Sequence, residues 1–193
     1  MCEIFFHDIY DISQIAKKQN LTVIDVGAHI GGFSVFLHQH ASLKKIVCVE
    51  PIPANVALLK KNISLNSLDQ VSVIYAGALW ITNGTLRLHH NDNTANSGIL
   101  SKGKIIEVPC MTLNALLKKN NLRSLDVLKL DCEGAEFEIL QQAQNILPKI
   151  CWILMEYHPS PGRTYQDILR LVSEKFTVTY HHPQEHIVLF RKK

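Results

Sequence analysis

A short apolar run that stops on a glycine and restarts as a helix constrains this chain more than any other feature. Val23, Ile24 and Val26 form a β-branched stretch with Asp25 among them, and Gly27 closes it. Such a run reads as a buried strand. Gly31 and Gly32 then open FSVFLHQH, which reads as a helix to about His40. Strand, glycine turn and helix N-terminus in that order place a ligand site at the carboxyl edge of a parallel α/β sheet. The glycines let a bulky ligand come close to the backbone.

The kind of ligand follows from one position. The dinucleotide fingerprint G-x-G-x-x-G uses its middle glycine to bring a diphosphate against the backbone. Counted from Gly27, this chain reads G-A-H-I-G-G, with His29 in that place. A side chain there crowds a diphosphate. S-adenosylmethionine (SAM), which has no phosphate, does not need the space. After IVCV comes Glu50, roughly 20 residues past the turn, where such folds set a carboxylate on ribose hydroxyls. Asp25 before the turn and Glu50 after it therefore favour SAM over a nicotinamide dinucleotide. Taken alone, the glycine turn is equally a tight loop of any α/β domain.

The 193 residues suit one domain, 1–193, with a sizeable core. With 47% hydrophobic and 19% charged residues, the chain is not of disordered composition. No apolar run reaches the roughly 20 residues that span a bilayer. MCEIFFHD lacks the basic start and long apolar stretch of a secretory signal. Cys2, Cys48, Cys110, Cys132 and Cys151 are scattered without a C-x-x-C, and Cys48 and Cys151 sit in apolar strand patterns as buried thiols do. That usage suits a reducing, cytoplasmic compartment. A formal charge of +3 is too small to imply nucleic acid, and the lysine pairs are spread as a solvated surface is. The expected partner is a small molecule, with no membrane and no nucleic acid.

Taken in order, 8–19 carries Ile9, Ile12, Ile15 and Ala16 at helical spacing, so an N-terminal helix is expected within 1–20. Strands are expected over Leu21–Val26, Lys45–Glu50 and Val71–Tyr75. Between the last two, Pro53 opens a helix whose apolar face takes Val56, Leu59, Ile63 and Leu65. AGALW follows; Ala76, Gly77 and Ala78 are small enough to border a flat ring, and Trp80 suits either stacking or the core. Regular alternation lapses over 82–108, read as an inserted hairpin or loop with a polar middle able to act as a lid. His89 and His90 are strand neighbours that point to opposite faces, which argues against a shared metal. Thr112 reads as the N-cap of LNALLKKN. Strands over Leu125–Leu130 and Ile150–Met155 follow, with the helix of EGAEFEILQQA between them. A helix over 164–175 and two closing strands, Phe176–Tyr180 and His186–Phe190, joined around Pro183, imply an antiparallel last strand.

Four carboxylates thus stand at strand ends: Asp25, Glu50, Asp131 and Glu156, the last followed by His158. In an open parallel sheet these ends face one crevice. Glu133 and Glu136 are read equally well as helix-start charges, and His158, before Pro159, as a turn residue.

VIDVGAHIGGFS, LDVLKLDCEGAEFEILQQA and ILMEYHP together resemble the FkbM-type methyltransferases, from about Val23 to Pro159. The D-x-E-G-A-E run is the most specific part. The resemblance implies a Rossmann-like class I methyltransferase fold: a mostly parallel seven-stranded sheet, helices on both faces and an antiparallel last strand, which agrees with the strands counted above. It also implies SAM as cofactor, S-adenosylhomocysteine (SAH) as product, and O-methylation of a hydroxyl on a sugar or other natural-product acceptor. His29 stands where asparagine is usual in the family.

On that resemblance, Asp25 and the Gly27–Gly32 backbone, with His29, Gly31, Phe33 and Ser34, hold the methionine part of SAM. Glu50 and Pro51 take the ribose, Gly77 and Ala78 border the adenine, and Asp131 lies beside the methyl group. A hydroxyl acceptor needs a general base. Asp131 is the first candidate; Glu133, Glu156 and His158 follow. No catechol-type metal cluster is evident, so no metal is expected. A methyltransferase acting on RNA or on a peptide or protein is the first rival, because ANVALLKKNISLN also resembles tRNA-modifying enzymes; the weak charge and the absence of a D/N-P-P-Y/F run argue against it. A non-catalytic SAM-binding domain is the second rival, and the intact carboxylates argue against that. A monomer or a homodimer is expected.

Overall fold

In the computed structural model, which describes residues 12–90 and 103–193, the strand before the glycine turn is β1 (Leu21–Val26), preceded by a single helical turn, α1 (Ser13–Ala16). There follow α2 (Gly32–His40), β2 (Leu43–Glu50), α3 (Pro53–Leu65), β3 (Ser72–Ala76) and β4 (Ala78–Leu79). Next come β5 (Gly84–His90), β6 (Lys104–Met111), α4 (Leu113–Lys119), β7 (Leu125–Leu130) and α5 (Glu136–Gln142). A 3-10 turn (Leu147–Lys149), β8 (Ile150–Glu156), α6 (Tyr165–Val172), β9 (Phe176–His182) and β10 (Ile187–Lys192) complete the order.

Seven strands form one sheet in the order β3-β2-β1-β7-β8-β10-β9. β2, β1, β7 and β8 run parallel, as does β3 beside β2, and β10 is antiparallel to both of its neighbours. The antiparallel closing strand expected from the sequence is therefore present, inserted between β8 and β9. Side chains alternate across the strands and build two cores. Ile24, Val26, Leu128, Leu130, Ile153 and Met155 pack with Leu116 of α4, Ile139 of α5 and Ile168 of α6. Val23, Val127, Trp152 and Leu154 face the other way, onto Phe33 and Leu37 of α2 and Leu59 and Ile63 of α3. Helices thus cover both faces of the sheet, as the near-continuous apolar strands require.

The order reverses at β1, because β2 lies on one side of it and β7 on the other. That switch point opens a crevice at the carboxyl ends of the strands. Local chemistry sets the ends there. Thr112 caps α4 by accepting a hydrogen bond from the Ala115 amide at 3.1 Å. Pro53 occupies the first turn of α3. Thr164 and Asp167 form a capping box at the start of α6.

The 82–108 insertion is a hairpin: β5 and β6 pair antiparallel, and β4 joins β6 in parallel to make a second, three-stranded sheet. The polar stretch read as a lid falls largely on 91–102 and lies outside the described residues. Residues 1–11 of the expected N-terminal helix do so as well; the described part is one turn, with Ile12 and Ile15 buried. The apolar face expected of α3 needs one correction. Val56, Leu59 and Ile63 are buried, but Leu65 is 71% exposed. It lies nine residues beyond Val56, half a turn round a helix of 3.6 residues per turn. Among the described residues no helix is long and apolar enough to cross a membrane.

Candidate active site

The glycine turn is shaped first by its own neighbours. Gly27 has φ +73°, and a Cβ there would lie 1.6 Å from the Asp131 carbonyl oxygen. The end of β7 closes that position to any side chain. Gly31 has φ +90°, and its Cβ would meet Leu59 Cδ1 at 2.8 Å. His29, between them, is itself left-handed at φ +50°. Its N–H donates to Glu50 Oε2 at 2.8 Å. The amide that faces a diphosphate in a dinucleotide site is therefore spent on the carboxylate at the end of β2.

Glu50 is buried and firmly held. Its Oε1 accepts from the Ile52 amide at 2.9 Å and from Asn55 Nδ2 at 3.1 Å. Burial pushes its carboxyl up, and these hydrogen bonds oppose the shift. Half-buried Pro51 follows it. The neighbouring end of β3 reaches the same place, since Ala76 pairs with Glu50 and the Gly77 amide donates to the Glu50 carbonyl at 3.0 Å. Gly77 has no room for a Cβ, which would lie 2.5 Å from the Pro109 carbonyl oxygen. Ala78 is buried in β4, opposite Cys110 of β6. Trp80 packs against the core.

Asp25 lies beneath the turn, with 0% exposure. Its Oδ2 accepts from Ser34 Oγ at 2.6 Å. Its Oδ1 lies 3.3 Å from Lys129 Nζ. Ser34 and Phe33 are buried with it, and the Phe33 ring lies 6.0 Å from the ammonium. Lys129 sits opposite Asp25 in the β1–β7 register and is only 3% exposed. It also reaches Asp131 Oδ2 at 3.1 Å and donates to the Gly27 carbonyl at 3.0 Å. One ammonium thus ties together two predicted carboxylates and the turn. The reading of the sequence missed Lys129. The available signal was a lysine inside an otherwise apolar strand, because a buried ammonium needs a partner.

The other side of the crevice is built by the loop after β7 and the segment after β8. Glu133 and Gly134 turn the chain with φ +54° and +105°. Glu136, at the start of α5, is 2% exposed. Its Oε1 accepts from the Cys132 amide at 2.8 Å and the Gly134 amide at 3.2 Å. His158 Nδ1 meets the same oxygen at 3.0 Å, while its Nε2 lies 3.6 Å from Glu133 Oε2. Burial pushes the Glu136 carboxyl up, but the His158 hydrogen bond and charge, with the Cys132 amide, outweigh it and set it below the usual range. For His158, burial works to lower proton affinity. The hydrogen bond and charge of Glu136, then the charges of Glu133 and Asp131, overcome that and push the imidazole up to about 9. Glu136 is therefore more than a helix-start charge: it orients a histidine as an outer carboxylate does.

Glu156 ends β8 and forms no ion pair among the described residues. Burial, then the negative charge of Asp131, pushes its carboxyl up to about 7. Burial likewise raises Glu133. Polar atoms of Asp131, Glu156 and His158 lie within 4.8 Å of one another. That spacing could hold a bridging cation. Lys129 already engages Asp131, however, and Glu136 engages His158. Tyr157, between Glu156 and His158, is buried instead; its hydroxyl pairs with His181 Nε2 at 3.2 Å and its ring stacks on Tyr165.

The predicted site residues thus fall into two groups on one sheet edge. Asp131, Glu133, Glu156 and His158 meet around the end of β7. Glu50, His29, Pro51, Gly77 and the glycine turn meet around the end of β2. Asp25, Phe33 and Ser34 support the turn from below and have almost no surface.

Comparison with known proteins identifies the family. The family model described as the methyltransferase FkbM domain matches residues 25–178. Methyltransferase sdnD of Sordaria araneosa is 28% identical over 172 residues, an alignment covering 72% of this chain and 66% of that protein. Among solved structures, a methyltransferase FkbM from Methylobacillus flagellatus KT superposes with a TM-score of 0.64 at 14% identity, covering 94% of this chain and 46% of that one. TrmK of M. capricolum, solved with SAH, superposes with a TM-score of 0.55 at 15% identity, covering 95% of this chain and 68% of that one. These two likenesses concern the fold alone. The chain spans about two thirds of the length of sdnD and under half of the M. flagellatus protein.

Proposed function

Because the chain belongs to the FkbM methyltransferase family, we propose that it transfers a methyl group from SAM to a hydroxyl of a sugar or another small acceptor. One observation carries the choice of cofactor. The His29 amide is bonded to Glu50 rather than left free at the turn. The turn therefore lacks the open cradle a diphosphate needs yet keeps a carboxylate where a ribose lies. A nucleoside without phosphates fits that donor set.

On this reading the backbone of Gly27–Gly32 faces the methionine portion of SAM, Glu50 and Pro51 the ribose, and Gly77 and Ala78 the adenine. Asp25 and Ser34 act from below by holding the turn. SAM supplies a methyl group on a sulfonium that departs as neutral SAH. The chain supplies alignment, since in-line displacement depends on holding acceptor oxygen, methyl carbon and sulfur in a row. It also supplies a proton acceptor: as the O–CH3 bond forms and the S–CH3 bond breaks, the hydroxyl proton passes to a carboxylate of the Asp131–Glu156–His158 group. The acidic surround of Glu133, Glu136 and Glu156 disfavours a phosphate-rich acceptor and favours a neutral polyol.

Calorimetric titration with SAM and SAH, with NADH as control, tests the reading. Micromolar binding of the first two, lost in Glu50→Ala, is expected. Binding of NADH alone, or of none of the three by folded protein, overturns it.

A further inference from the structure

Lys129 makes contacts that no step above uses. It is an ammonium with 3% exposure, fixed by Asp25 from β1, by Asp131 beyond β7 and by the Gly27 carbonyl. A buried lysine bridging two carboxylates on adjacent strand ends is costly to desolvate, so it needs all its partners in place. It therefore links the cofactor turn to the acceptor side of the crevice. It also divides the carboxylates. Asp131 is engaged, and proton uptake there would break an ion pair. Glu156, within 4.8 Å of Asp131, has no such partner among the described residues.

We propose that Lys129 is a positioning residue that pins Asp131 and the glycine turn together, leaving Glu156 as the carboxylate that receives the acceptor's proton. The proposal rests on the methyltransferase reading. The charged groups around Glu156 are Asp131 and Lys129 from the β7 end, Glu133 from the following loop and His158 from its own segment. Lys129 and His158 hold the Glu156 carboxyl down, while Asp131 and Glu133 raise it further. A cation that offsets part of the rise caused by burial and Asp131 would hold the proton affinity of Glu156 near neutral pH, where a general base works best.

The test is a carboxyl NMR titration of Glu156 in the cofactor-free protein, its signal assigned by Glu156→Gln, alongside SAH affinity by calorimetry. In Lys129→Met the Glu156 midpoint should rise by about half a unit or more. SAH should bind about tenfold more weakly as the turn loosens, and Lys129→Arg should restore most of both. If Lys129→Met fails to fold, because Asp25 is left buried without a counter-charge, Asp25→Asn/Lys129→Met removes that orphan charge and the Glu156 shift should persist. A Glu156 midpoint unmoved in the folded variant overturns the inference. Absence of SAH binding in the unaltered protein overturns the methyltransferase reading instead.

Discussion

Glu136 Oε1 and His158 Nδ1 lie 3.0 Å apart, 22 residues distant in the chain and on different elements. The same oxygen accepts the amides of Cys132 and Gly134. It thus fixes the β7 loop, the start of α5 and the imidazole together. Removing its charge while keeping its shape should release the histidine. In Glu136→Gln, the His158 titration followed by imidazole NMR is expected to fall from about 9 toward the ordinary value. The sign of the stability effect follows. His158 binds its proton more tightly folded than unfolded, so its contribution is complete below 6.5 and fades as pH rises through about 9. His158→Asn should therefore be less stable than the parent at pH 6, on the order of 2 kcal/mol at one to two pKa units after solvent screening, and nearly equal to it at pH 10. Denaturant midpoints that differ equally at both pH values would refute the linkage.

Glu156 works in the opposite sense. Its carboxyl is raised to about 7 from 4.5, so the folded state prefers it protonated. That preference contributes stability at low pH, and it is lost as pH rises through about 7. Above that point the charged form burdens the fold. Glu156→Gln is expected to be about 1 kcal/mol more stable than the parent at pH 8 while slowing SAH formation from SAM and acceptor by about a hundredfold. Unchanged turnover would remove Glu156 from the chemistry.

Much of this fold was legible because local pattern and long-range pairing agree. Leu21–Val26 and Leu125–Leu130 begin and end as strands where the apolar runs do, because both are buried on both faces and bounded by glycine or acid. The convergence of Asp131, Glu133, Glu156 and His158 was legible for the same reason: strand ends of a parallel sheet share an edge. Lys129 was not. Along the chain it is a polar interruption in an apolar strand, and only the β1–β7 register sets it opposite Asp25. Glu136 was half legible, as a helix-start acid, because the histidine it orients comes from beyond β8. The sequence reads the glycines as leaving room for a ligand; Gly27 and Gly77 are in addition each required by a carbonyl from another strand, a fact of packing that spacing does not carry.

That packing makes the glycines unequal. A Cβ at Gly27 would meet backbone, the Asp131 carbonyl, at 1.6 Å, whereas at Gly31 it would meet the tip of the Leu59 side chain at 2.8 Å. Both positions also have positive φ, which costs an alanine roughly 1–2 kcal/mol. Gly27→Ala must in addition separate the ends of β1 and β7, so a loss above about 4 kcal/mol, or no folded protein, is expected. Gly31→Ala should fold with a loss of about 2–3 kcal/mol. Urea denaturation of the two variants checks the ranking, and a Gly27→Ala protein as stable as Gly31→Ala would contradict the close approach.

The last prediction concerns metal ions. Asp131, Glu156 and His158 offer an oxygen–oxygen–nitrogen set within 4.8 Å, a spacing that could hold a cation. Two of the three are already committed. Lys129 Nζ lies 3.1 Å from Asp131, and a metal there would sit against an ammonium. His158, raised to about 9, carries a proton at neutral pH that a metal would have to displace. Methyl transfer is therefore expected to persist after exhaustive chelation, with manganese binding at this cluster weaker than about millimolar when followed by electron paramagnetic resonance. Tight manganese binding abolished by Glu156→Gln, together with turnover lost to chelator and restored by the ion, would make the cluster a metal centre and reassign Glu156 from proton acceptor to ligand.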